Sequence, residues 1–119
     1  MSLSKIKINV FQIIGSDSAI AVEDGQALFE QIKKALVNNV TIEVDFTNVK
    51  LIVSSFLNAS IGQLYGEFDE KRIEENVSIV GLPEEDKELL AMVRIRAKDY
   101  FSKKDSFIKT VKDSIGDDS

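Results

Sequence analysis

The segment Val40 to Phe46 limits the fold more than any other: Val40, Ile42, Val44 and Phe46 alternate with Thr41, Glu43 and Asp45. A period of two puts one set of side chains on each side of an extended chain, so this segment reads as a strand with one face in a core. Lys5 to Val10 alternates the same way, with Ile6, Ile8 and Val10 on one side. Phe11 to Ile14 either continue that strand or form a short one of their own before the turn residues Gly15-Ser16-Asp17-Ser18. Between the two strands the period changes. From about Glu23, residues Leu28, Ile32, Ala35 and Leu36 recur at helical spacing, and Asn38-Asn39 ends the pattern.

After Phe46, Thr47-Asn48 breaks the strand and a short apolar stretch runs from Val49 to Val53, interrupted only by Lys50. A second helix is expected after Ser54-Ser55, with Leu57, Ile61, Leu64 and Phe68 as its stripe, ending in the charged stretch from Asp69 to Asn76. Val77 to Val80, closed by Gly81, reads as a buried strand. Pro83 is expected to open a third helix, with Glu84, Glu85 and Asp86 where the helix dipole favours anions and Leu89, Val93, Ala97 and Tyr100 on its inner face. Phe107, Ile108 and Val111 suit either a short helix or a packed tail.

Strands that alternate with helices argue for an α/β sandwich, because parallel neighbours need helical crossovers. The expectation is a mixed, partly parallel sheet of four to five strands, with about three helices packed mainly on one face. A single domain over residues 1–112 and a frayed acidic tail over 113–119 complete the layout.

Composition matters chiefly for what it excludes. The 119 residues contain no cysteine and no histidine. Disulfides, thiol nucleophiles, thiolate metal sites and every Ser-His or Cys-His pair are therefore absent. A serine nucleophile would need another base, and Lys50 would have to be strongly desolvated to serve. The expectation is a protein that is not an enzyme, with no metal and no cofactor. Fifteen basic against twenty acidic residues leave a net charge of −5, which argues against a whole-surface grip on nucleic acid or anionic lipid. Arg94, Arg96, Lys98, Lys103 and Lys104 read as a solvated face, since no aromatic pattern is interleaved with them. No apolar run is long enough to span a membrane, and the N-terminus is too polar for a secretory signal, so the expected compartment is the cytoplasm.

Three residues carry the chemical interest. Asp45 sits near the C-terminal end of the clearest strand, where open α/β sheets bind ligands. It either ligates magnesium or accepts a hydrogen bond from a partner there, or it is a solvent-side strand residue or a carboxylate that holds the loop that follows. Ser54 and Ser55 stand at the start of the second helix. Their structural reading is helix capping, in which a hydroxyl takes a free amide of the first turn. Their functional reading is a reversible phosphate, whose charge would change what the surface binds. Gly62 and Gly66 lie at a spacing no phosphate loop uses, and read as a site of close helix packing.

Val44-Asp45-Phe46-Thr47-Asn48-Val49, then Ile52-Val53-Ser54-Ser55-Phe56-Leu57, then Leu64 and Phe68 resemble the core of the STAS-like domain family of unknown function. That family is related to the STAS fold of bacterial anti-sigma factor antagonists, and the resemblance covers about residues 20 to 82. It implies a small α/β domain that works by docking onto a protein partner, a histidine-kinase-like ATPase or serine kinase. The antagonists are phosphorylated in a motif of the type Asp-Ser-Ser-Gly-Leu-Gly. Here Val53 stands in place of the Asp, Ser54 and Ser55 match the serines, and Phe56 and Asn58 replace the glycines. Ser55 is then the phosphorylation candidate, with Ser54 beside it, and these departures fit the group of unknown function better than the antagonists. The implied docking surface comprises Asp45, Lys50, Ser54, Ser55 and Asn58. The alternative function is a STAS-type domain that senses a small ligand or nucleotide.

Overall fold

The strand predicted over Val40 to Phe46 lies at the centre of a three-stranded sheet. In the computed structural model, which describes residues 4–116 and the side chains of 4–103, β1 spans Lys5–Asn9, β3 Thr41–Asp45 and β5 Val77–Val80, in the order β1-β3-β5. Both pairings are parallel, with Ile8 opposite Val44 and Val44 opposite Ile79. A second ladder joins β2, Ser18–Ala19, to β4, Leu51–Ile52, also in parallel. The expected single mixed sheet is therefore corrected to two small parallel ones. Thr47-Asn48 turns the chain away from β3, with Asn48 at φ 72° and the Val49 amide bonded to the Phe46 carbonyl. The amides of Lys50 and Leu51 then both find the Asp17 carbonyl, which commits β4 to β2.

The helices also outnumber the expectation. Phe11 to Ile14 are not a strand: α1 spans Val10–Ile14, opened by the Asn9 side chain accepting from the Gln12 amide and closed by Gly15 in the left-handed region. Asn before and Gly after are what a short helix needs at its two ends. The next helix, α2, runs Val22–Val37 close to its predicted bounds. The single helix expected after Ser54 is three pieces: α3 over Ser54–Ser60, a 3₁₀ segment over Gly62–Gly66 and α4 over Glu70–Asn76. Asp69 restarts the chain as the cap of α4, its carboxylate accepting from the Arg72 amide. The last helix, α5, begins at Glu84 and its backbone continues to Gly116, taking in Phe107, Ile108 and Val111. Residues 113–116 of the expected frayed tail belong to that helix, and 117–119 lie outside the described residues.

One face of the main sheet carries Ile8, Ile42, Val44 and Val77, buried with Leu28, Ile32, Leu36, Phe56 and Leu57 from α2 and α3. The other face carries Lys5, Lys7, Glu43, Asp45, Ser78 and Val80, and is mostly polar: Lys7 reaches both Glu43 and Asp45. The helices thus pack on one side, as expected. From α5, Val93 and Ala97 enter the core as expected with Leu90, and Leu89 packs partly against it, but Tyr100, expected on the inner face, is 58% exposed and Phe101 packs inward instead. Tyr100 and Phe101 both follow Ala97 at helical spacing, so periodicity alone does not choose between them, and the structure buries Phe101. Among the described residues no helix is long and apolar enough to cross a membrane.

Candidate partner-docking surface

Each strand of the small ladder runs directly into a helix: β2 is followed by α2 and β4 by α3. Because the strands are parallel, both helices start at the same end of the ladder, side by side. They stay close because Gly25, in the second turn of α2, has no side chain. A Cβ there would lie 2.8 Å from the Phe56 carbonyl oxygen and 2.9 Å from the Ala59 Cβ. The methyl-free crossing sets where Ser54 and Ser55 sit relative to the start of α2.

Neither serine caps α3. The cap is Val53, in extended conformation and without a side-chain hydrogen bond, so Ser54 and Ser55 are already the first two helical residues. A capping hydroxyl must sit one residue outside the helix to reach the amides of its first turn. Ser54 is half-buried and Ser55 exposed, and among the described residues neither hydroxyl makes a hydrogen bond. Asn58, one turn further along, is exposed on the same side of α3, and Lys50 is exposed just before β4.

The small ladder and the start of α2 also present apolar side chains that the sequence pattern concealed. Ala19 and Ile52 pair and point into the core. Strand alternation therefore sends Leu51 and Ile20 outward, and they are 52% and 51% exposed. Val22, the first residue of α2, is also 52% exposed. In the run from Val49 to Val53 every residue except Lys50 is apolar, so no alternation is visible; only the pairing with β2 reveals which side chains face out.

Asp45 lies apart from this surface. Its side chain projects from the polar face of the sheet, whereas the next residue, Phe46, points the other way and meets Phe56 of α3 edge-on. One carboxylate oxygen accepts from the Thr47 amide at 2.9 Å and the Thr47 hydroxyl at 2.6 Å, and the other faces Lys7 at 3.1 Å. The Thr47 hydroxyl and amide bonds, with Lys7 adding to them, hold the carboxyl below its ordinary range against the opposing effect of burial. This geometry makes Asp45 the brace of the Thr47-Asn48 turn.

A carboxyl with a depressed folded-state pKa stabilises the fold above the unfolded carboxyl range and ceases to do so as the pH falls through the folded value. Replacing Asp45 by Asn is expected to cost about 1–2 kcal/mol at neutral pH, since bonds to a charged acceptor are the stronger ones. Urea unfolding from pH 7 down to about pH 3 should then show the difference between the two proteins narrowing below about pH 4. A constant difference across that range would mean that the charge of Asp45 contributes nothing.

Among the described residues no cluster of three or more acidic side chains could hold a metal ion. A family model described as a STAS-like domain of unknown function matches residues 24–87, which is more than half of the chain. The match takes in α2, β3, the Ser54/Ser55 helix start and β5. No curated protein and no solved structure matches the chain significantly.

Proposed function

The chain belongs to the STAS-like domain family of unknown function, and from that premise we propose that it is a non-enzymatic bacterial signalling module that docks onto a protein partner. The observation that carries this reading is the exposure of three large apolar side chains, Ile20, Val22 and Leu51, around the β2–β4 ladder and the start of α2. Exposed apolar side chains gathered at one place and rimmed by polar ones favour an interaction surface over a merely solvated one. Lys50, Ser55 and Asn58 form that rim.

The partner in this reading is a histidine-kinase-like ATPase or serine kinase, and Ser55 is the residue at which binding is switched. Its hydroxyl is exposed and free of hydrogen bonds among the described residues, so a kinase reaches it without unfolding the helix. A phosphate there adds nearly two negative charges to the exposed start of α3, where desolvation on docking would be unfavourable. The absence of histidine and cysteine from the sequence supports a role without catalysis.

A tagged pull-down from the native host, with the bound proteins identified by mass spectrometry, finds the partner. Leu51→Glu is then expected to weaken its binding at least about tenfold, the loss typical of one well-placed interface side chain. Ser55→Asp should weaken it too, and both variants should keep the unfolding temperature, because both positions are solvent-facing. Undiminished binding by Leu51→Glu and Ile20→Glu would remove the docking surface from consideration. Undiminished binding by Ser55→Asp alone would remove only the switch.

A further inference from the structure

A cleft of about 270 Å³ separates α3 and the 3₁₀ segment from α5, on the side of the molecule where Asn58 is exposed. Its floor is Gly62 and Ala97, and its far wall is formed by the rings of Tyr100 and Phe101. Those rings meet edge-to-face, with centroids 4.9 Å apart. Phe101 is held from behind by Gly66, where a Cβ would fall 2.6 Å from its ring. Gly62 and Gly66 therefore do different things: the second receives an aromatic ring, and the first lines the cleft with room for no more than a methyl group in ordinary contact. A Cβ on Gly62 would meet Asn58, Val93 and Ala97 at 3.5, 3.6 and 3.7 Å, ordinary contact distances.

The polar groups of the cleft are few and one of them is charged. Arg96 lines it and makes no ion pair among the described residues, and no carboxylate lines it in a chain of net charge −5. Gln63 is fixed in place, donating to the Gln26 side chain at 2.6 Å and to the Ala59 carbonyl at 2.7 Å. Asn58 brings an exposed amide to the rim. A guanidinium and an amide above a narrow apolar slot with an aromatic wall complement a flat ring that carries a carboxylate. The volume falls just short of the roughly 300 Å³ at which sites for drug-sized ligands begin, which suits a single ring.

We propose that the cleft between α3 and α5 binds a small aromatic monocarboxylate, its ring between Gly62 and the Tyr100–Phe101 wall and its carboxylate on Arg96 and Asn58. This goes beyond the docking reading and does not depend on it: the residues that test the cleft are not those that test the apolar group at Leu51.

Benzoate is the probe, with benzamide as its uncharged counterpart and acetate as the charge without a ring, titrated into the full chain and followed by amide chemical shifts. Saturable shifts from benzoate are expected at about 1 mM or below, centred on Asn58, Gly62, Gln63 and Arg96. Benzamide should bind about tenfold more weakly and acetate not at all, and Arg96→Gln should weaken benzoate about tenfold. Gly62→Ala, whose methyl group fits the fold but enters the slot, should weaken benzoate several-fold without lowering the unfolding temperature. No saturable shift up to about 10 mM, equal binding of benzamide, or unchanged binding in both variants would each overturn the proposal.

Discussion

Replacing Phe56 by Ala is expected to cost about 3–5 kcal/mol, the range for deleting a fully buried aromatic ring. Phe56 is 0% exposed and lies edge-on to Phe46, with ring centroids 6.4 Å apart and planes at 81°. The pair ties α3 to the end of the central strand, and its geometry adds something beyond buried area. The backbone at Phe56 is also what Gly25 of α2 approaches, so the vacated space sits where two helices and a sheet meet. That junction has little freedom to collapse, which places the loss toward the upper end. Against a total stability of about 5–15 kcal/mol, the midpoint of thermal unfolding should fall by roughly 15 °C or more. Urea or thermal unfolding measures it. A loss below about 1 kcal/mol would show that α3 is anchored elsewhere.

The second large effect is expected at Gly81, and it is best measured against Gly15. Both adopt positive φ, 78° and 69°. An Ala in that region costs about 1–2 kcal/mol through its backbone alone. At Gly15 nothing lies within 4 Å of an added Cβ, so Gly15→Ala should show little beyond that backbone cost. At Gly81 the added carbon would fall 2.6 Å from the Thr47 amide nitrogen, 2.7 Å from its hydroxyl and 2.8 Å from the Asp45 carboxylate oxygen. These are the atoms of the brace on the turn after β3, and a tightly bonded backbone cannot step aside as a flexible side chain can. Gly81→Ala is therefore expected to lose about 2–5 kcal/mol, the backbone cost plus an overpacking cost of about 1–3. Equal losses at the two glycines would mean that the Asp45–Thr47 brace yields freely.

Where periodicity is strict, the sequence is a reliable guide to this chain. The strand with Val40, Ile42, Val44 and Phe46 on one side and the helix carrying Leu28, Ile32 and Leu36 appear close to their predicted bounds. The one-sided packing of helices and the family resemblance follow the same residues. Where an apolar run lacks alternation, the guide fails. The stripe Leu57, Ile61, Leu64 and Phe68 suits one long helix, and its residues are buried or half-buried as expected. Yet the chain tightens into a 3₁₀ segment between the two glycines, one of which must accept the Phe101 ring. That demand comes from α5, far along the sequence.

The candidate site divides in the same way. Ser54, Ser55 and their place at a helix start are legible, because a change of period marks where the helix begins. Their failure to cap it is not, since moving the boundary by one residue turns a cap into a first turn. Asp45 is legible as a strand-end carboxylate with two readings, and its bonds to Thr47 and Lys7 select the role of brace. Ile20 and Leu51 carry no signal of exposure in their own neighbourhoods.

By itself, the sequence determined the α/β class, the places and inward faces of the strictly alternating β3 and of α2, the family, and the absence of thiol and imidazole chemistry. These are local properties, set by side-chain alternation and by which residues are present at all. The tertiary structure alone decided that β4 pairs with β2 rather than β3, that α2 and α3 start side by side, and that a cleft opens beneath Arg96. Each of these depends on which distant segment covers a given face. An element's own periodicity says that a face must be covered, and nothing about what covers it or where the cover ends.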